Sequence, residues 1–150
     1  MNTLKLKIVS PERVLLETLA QSITLPTPDG QITLLPNHIP LVSQVSPGEM
    51  VVRAEGKEQF LYVSGGFVQV EQGGVVKLLA DAAEHFTEIN EDRAENARRR
   101  AKEALQAGNL SDLEYAATAA ALERSLTRLN LVRKHSRRNV PLTGEGVFKE

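Results

Sequence analysis

Between Asp81 and Arg93 the repeat of apolar residues along the chain changes from every second position to every third or fourth. Those are the intervals at which side chains return to one face of a strand and of a helix. The stretch therefore ends a β half, begins an α half, and reads as a hinge between them. A length of 150 residues suits a compact domain of roughly 85 residues carrying an appendage.

Before the change, Leu4, Leu6 and Ile8 alternate with Lys5 and Lys7, which predicts a strand with one wet face. Ile23 and Leu25, then Ile32 and Leu34, flank Thr27-Pro28-Asp29-Gly30, a turn in which proline presets one dihedral and glycine accepts a positive one. Further strands are predicted at Leu41 to Val45, Met50 to Ala54, Gln59 to Ser64, Phe67 to Val70 and Val75 to Ala80, each bounded by breakers such as Ser46-Pro47-Gly48 and Gly73-Gly74. Short strands broken about every ten residues favour an antiparallel sandwich or barrel, because parallel pairs need long crossovers. Aromatic residues make up 4% of the chain, so the core must be built from Leu, Ile and Val.

After the change, Asn90 is a helix cap followed by Glu91 and Asp92, acids suited to the positive end of a helix dipole. Ala94, Ala97, Ala101 and Ala104 share one face of that helix, and Gly108-Asn109 stops it. Ser111-Asp112-Leu113-Glu114 is a capping box for a second helix with the stripe Tyr115, Ala119, Leu122, Leu126, Leu129. Two helices with so short a link predict an antiparallel hairpin. Its alanine faces bury little, at ~0.8 kcal/mol per methylene, so the hairpin docks weakly and can undock. The expected fold class is α+β: an N-terminal antiparallel β-sandwich over 1–88, a C-terminal α-helical hairpin over 89–138, and a flexible tail over 139–150.

Several function classes are disfavoured. The chain has no cysteine, hence no disulfide framework or thiolate metal site. It contains no nucleophile elbow, no phosphate-loop lysine and no paired-histidine zinc helix, and Gly56-Lys57 is followed by Glu58. His38, His85 and His135 are far apart without ligand spacing and read as surface or structural residues. The missing motifs predict a non-catalytic chain, and since no apolar run reaches the roughly 18 residues of a membrane span, a soluble one.

The net charge of −1 conceals a division. Up to Asn90 there are 6 basic and 10 acidic residues; from Glu91 to Arg138 there are 11 and 7. The run Arg133-Lys134-His135-Ser136-Arg137-Arg138 suits the negative end of a helix, an acidic protein surface, or nucleic acid. The acidic β half and the scarcity of aromatics argue against nucleic acid.

Three segments together resemble the epsilon subunit of F-type ATP synthases: Gly30-Gln31-Ile32-Thr33-Leu34-Leu35-Pro36-Asn37-His38-Ile39-Pro40-Leu41, Val63-Ser64-Gly65-Gly66-Phe67-Val68-Gln69-Val70, and Leu79-Ala80-Asp81-Ala82-Ala83-Glu84. With the helical pair behind them, the similarity covers nearly residues 1 to 138. The resemblance implies a ten-strand sandwich and two helices on the rotor, beside the gamma subunit and the c-ring, at the cytoplasmic face of a bacterial plasma membrane or the equivalent side of an organelle membrane. Membrane contact is through the complex only.

It further implies a subunit without chemistry of its own, which couples proton flow to ATP synthesis and whose helices extend to block ATP hydrolysis. The basic helix then faces acidic loops of the beta subunits in the alpha/beta head, which nominates Arg124, Arg128, Arg133, Lys134, Arg137 and Arg138. By position in the loop motif, Gln31 lies near the c-ring and His38 near gamma.

Some bacterial relatives bind ATP on the folded hairpin through Ile/Leu-Asp-x-x-Arg-Ala, which here reads Ile89-Asn90-Glu91-Asp92-Arg93-Ala94. Asparagine in place of aspartate removes a charged acceptor but keeps a carbonyl. Arg93 and Arg100, with Arg124 or Arg128, remain candidates to hold a regulatory ATP, and no cofactor is required otherwise. The alternative is a free-standing nucleotide-binding regulatory module.

Overall fold

A computed structural model describes residues 2–136, so Arg137, Arg138 and the expected tail lie outside the described residues. Ten strands come first: β1 (Leu4–Val9), β2 (Val14–Ala20), β3 (Ser22–Thr27), β4 (Gly30–Leu34), β5 (Leu41–Val45), β6 (Gly48–Ala54), β7 (Lys57–Val63), β8 (Gly66–Glu71), β9 (Val75–Ala80) and β10 (Ala83–His85). A 3-10 turn, Phe86–Glu88, leads to the helices α1 (Glu91–Ala107) and α2 (Asp112–Ser136). Two compact units result, meeting in sequence between His85 and Phe86.

The first unit is a sandwich of two five-stranded sheets, ordered β2-β1-β9-β8-β5 and β10-β7-β6-β3-β4. Its core is aliphatic, with Leu4, Leu6, Ile8, Ile23, Leu25 and Leu78 at 2% exposure or less. The alternation read from the sequence places these residues, since every second side chain of a strand turns inward.

Two features depart from the expectation. The sheets are antiparallel except where β1 runs parallel to β9, with Lys7 opposite Lys77. A parallel neighbour needs a long connection, and here the seven intervening strands supply it. The second departure is β2, whose inward residues are Leu16, Thr18 and Ala20 while Val14 and Leu19 stay about half exposed. A threonine inside, Leu19 outside and Leu15 packed against the core blur the alternation that announces the other strands.

In the second unit, Asn90 Oδ1 accepts the amide of Arg93 at 2.9 Å and so caps α1. Gly108 ends the helix in the left-handed region at φ 73°, where a Cβ would be penalised. Ser111 and Glu114 form the reciprocal capping box of α2: the Glu114 amide donates to Ser111 Oγ at 3.2 Å, and the Ser111 amide to Glu114 Oε2 at 3.0 Å. The four residues Gly108 to Ser111 link the helices, as expected for an antiparallel pair.

Ala94 and Ala101 are buried and Ala97 and Ala104 half-buried, as the alanine face predicts. The α2 stripe differs from expectation. Leu129 is buried, but Tyr115 and Leu126 are 55% and 40% exposed, whereas Ser125 and His135 are buried. The facing stripe of α2 runs through Thr118, Ala121, Leu122, Ser125, Leu129, Val132 and His135, rotated from the predicted one. Small residues win that face because they let the helix backbones approach, and the Ser125 hydroxyl is satisfied within the helix by Ala121 O at 2.9 Å.

Candidate functional site

The hairpin has two flanks of different chemistry. An α-helix turns about 100° per residue, so on α1 Glu91, Glu95 and Arg98 lie to one side of buried Ala94, and Arg93 and Arg100 to the other. On α2 the stripe through Ser125 and Leu129 has Arg133 on one side and Arg124 and Arg128 on the other. Ion pairs fix which flanks meet: Arg133 Nε donates to Glu91 Oε1 at 3.4 Å, and Arg133 Nη2 to Glu95 Oε2 at 3.4 Å.

The opposite seam is therefore bordered by Arg93, Arg100, Arg124 and Arg128. The same pairs set the register. Counting back along α2 as α1 advances, Arg100 stands level with the interval between Arg124 and Arg128, and Arg93 one to two turns nearer the open end. Arg93, Arg100 and Arg124 are exposed and Arg128 is half-buried. All four candidate phosphate-binding arginines thus share one seam.

The remaining members of that candidate set have structural roles. Ile89 and Ala94 are buried and shape the start of the hairpin. Asn90 spends its carbonyl oxygen on the cap. The buried His135 ring lies 5.4 Å from the Phe86 ring, which ties the end of α2 to the 3-10 turn.

Glu95 was not singled out by the sequence. Arg98 Nε donates to its Oε1 at 3.1 Å, and Arg98 Nη2 also pairs with that oxygen, which leaves Oε2 for Arg133. Hydrogen bonding from Arg98 holds the Glu95 carboxyl below its ordinary value of 4.5; desolvation opposes this, and the charges of Arg98, Arg133 and Arg99 reinforce it. The available signal was the four-residue spacing of Glu91 and Glu95, which puts both on one flank. Lys134 is exposed in the last turn of α2.

On the sandwich, Gln31 is exposed on β4 opposite Pro26. His38 is half-buried in the loop after β4, its Nδ1 2.7 Å from Ile39 O. His38 lines an open cleft of about 520 Å³ with Pro36, Ile39 and the Gln72 to Gly74 turn; Gln31 does not, so the structure does not join the two.

An apolar row on the outer face of the first sheet also escaped the sequence reading. The register sets Val14 beside Val9, Val9 beside Leu79, and Leu79 beside Phe67. Val14, Leu79 and Phe67 are 51%, 59% and 57% exposed. The row spans four adjacent strands and is assembled from distant segments, so no local pattern signals it.

Among the described residues, no helix is long and apolar enough to cross a membrane, and no group of three or more histidine, aspartate or glutamate side chains could hold a metal ion.

Residues 3–86 match the family ATP synthase, Delta/Epsilon chain, beta-sandwich domain, and residues 87–133 match ATP synthase, Delta/Epsilon chain, long alpha-helix domain. The chain is 37% identical over 133 residues to the ATP synthase epsilon chain of Nitrosococcus oceani, a match covering 88% of this chain and 94% of that one. It is 41% identical over 107 residues to the ATP synthase epsilon chain of Bordetella petrii, covering 71% and 75%. The same fold occurs in the mitochondrial ATP synthase of Euglena gracilis, in a structure of OSCP, F1 and c-ring, with TM-score 0.76 and 23% identity over 91% of this chain and 82% of that chain. It occurs again in the central stalk and c-ring structure of the Tetrahymena thermophila mitochondrial enzyme, with TM-score 0.58 and 16% identity over 89% and 96%.

Proposed function

The chain belongs to the epsilon subunit family of F-type ATP synthases, and from that premise we propose that it is a central-stalk subunit whose sandwich anchors it to the rotor and whose hairpin brakes ATP hydrolysis. Epsilon chains are non-catalytic. The observation that carries the anchoring is the apolar row Val14, Val9, Leu79, Phe67. A sheet face that leaves Leu79 and Phe67 more than half exposed gains about 1 kcal/mol from each when a partner covers them. The gamma subunit is that partner in this reading. Gln31 on β4 faces the c-ring in this reading and His38 in the loop after β4 faces gamma, and the complex holds the chain at the membrane.

Braking follows from the seam between the helices. On the α1 side Ala94, Ala97, Ala101 and Ala104 bury few methylenes, so opening costs less than separating two helices that both pack with leucine. An opened α2 presents Arg124, Arg128, Arg133 and Lys134 to acidic loops of the catalytic head. Coupling of proton flow to synthesis then belongs to the anchored, closed form.

A second role is favoured by the four arginines on one seam: regulatory ATP, its phosphates spanning the two helices, stabilises the closed hairpin. This role requires ATP to raise the melting temperature of the hairpin and Arg100→Ala to abolish the rise. A free-standing nucleotide-binding module would bind ATP without any stable association with gamma.

Hydrolysis by an epsilon-depleted catalytic head, titrated with the full chain and with a version ending at Thr87, tests the main reading. The full chain inhibits; the truncated chain binds without inhibiting. Binding by both with inhibition by neither removes the brake, and binding by neither removes the anchor.

A further inference from the structure

We propose that Glu91 and Glu95 form a latch on the brake: in the closed hairpin they occupy Arg133, the same cation that the open form offers to the catalytic head. The proposal rests on the braking function above and adds the group that opposes it. Its basis is the bridging of two carboxylates, one helical turn apart on α1, by a single guanidinium of α2.

Three features make this more than an incidental surface pair. Arg98 holds one oxygen of Glu95 and leaves the other turned to Arg133, so part of the ordering cost is met before the helices close. Glu91 and Arg133 also suit their helices, the acid in the first turn of α1 and the cation in the last turn of α2. The pair also lies at the end of the hairpin remote from the link, where opening must begin.

The latch is weak by construction. Arg133, Glu91 and Glu95 are each about one-third to one-half exposed, and such pairs shift an equilibrium only a few-fold each. That suits a reversible brake. Opening exchanges two carboxylates of α1 for carboxylates of the head, so a small difference between the two sets decides the outcome. A latch of buried charges would hold the hairpin shut, because breaking a buried pair by removing one partner strands a charge.

The chain lacks cysteine, so Glu103→Cys and Asn130→Cys at exposed sites on the two helices can carry spin labels without background. Distances between the labels in the full chain report the closed fraction. In the Glu91→Gln, Glu95→Gln variant the equilibrium moves toward open by about 2- to 10-fold at low salt. Glu91→Lys with Glu95→Lys opens the hairpin further, and adding Arg133→Glu closes it again. In 1 M salt the unsubstituted chain approaches the Gln variant, because exposed charges are screened.

Identical distance distributions for the Gln variant and the parent at low salt overturn the latch. Inhibition of the catalytic head is read separately: the Gln variant inhibits at lower concentration. Opening without a change in inhibition also overturns the proposal, because Arg133 is then not the braking contact that the latch withholds.

Discussion

Asn90 and Arg93 are joined through the backbone: the Asn90 side-chain oxygen accepts the Arg93 amide at 2.9 Å and closes the first turn of α1. Both residues fall in the stretch that resembles an ATP-binding pattern, yet the contact between them is a helix cap. The cap accounts for asparagine at this position without reference to a ligand, and it leaves the Arg93 guanidinium on the outer seam.

Asn90→Ala removes the cap and destabilises α1 by about 1 kcal/mol, while Asn90→Asp keeps it and adds a charge favoured by the dipole. Thermal melts followed by circular dichroism at the helical minimum should place the variants in the order Asp at or above Asn, then Ala. An Ala variant that melts with the parent would mean that α1 starts elsewhere.

Gly66 lies at φ 147°, and a Cβ there would overlap the Leu79 carbonyl on the neighbouring strand β9. Gly66→Ala must push two paired strands apart, at a cost of roughly 3 kcal/mol or more. Urea unfolding of the sandwich measures it as a fall in midpoint without a change in slope. Glycine in the Val63 to Val70 motif is thus required by strand contact as well as by the turn.

Phe67→Ser with Leu79→Ser tests the apolar row. Both side chains are more than half exposed, so stability changes by no more than about 0.5 kcal/mol per site. Association with a gamma-containing head should weaken about ten-fold or more in equilibrium sedimentation. Unchanged association would move the anchor to another face.

Acid should loosen the hairpin through Glu95. Its carboxyl is held below the ordinary value of 4.5 chiefly by Arg98 on the same helix and in smaller part by Arg133, and only the part due to Arg133 is lost when the helices separate. A depressed value means that the stabilisation is complete above the unfolded value and is lost as pH falls through the folded one. Label distances between the helices should stay constant from pH 8 to about pH 5 and lengthen below that, and Glu95→Gln should flatten the response.

Much of the architecture was legible because it is decided locally. The strands with alternating residues, the Thr27 to Gly30 turn, the Asn90 and Ser111 caps and the stop at Gly108 depend on residues within a few positions of one another. The epsilon-type motifs are also continuous in sequence. What remained hidden was β2, with apolar residues on both faces, and the three-residue β10 inside the stretch where the period changes.

By itself the sequence determined a sandwich followed by a helical pair, an aliphatic core, and a cationic end on the second helix. Only the tertiary structure decided that β1 lies parallel to β9, that Val14, Leu79 and Phe67 align across one sheet face, and that α2 turns Ser125 rather than Leu126 toward α1. It also decided that Arg133 meets Glu91 and Glu95, some forty residues away. The reason is the same in each case. Periodicity states which residues share a face, but apolar residues occur around much of α2 and on both faces of the first sheet, so the choice among faces falls to whichever backbones approach most closely.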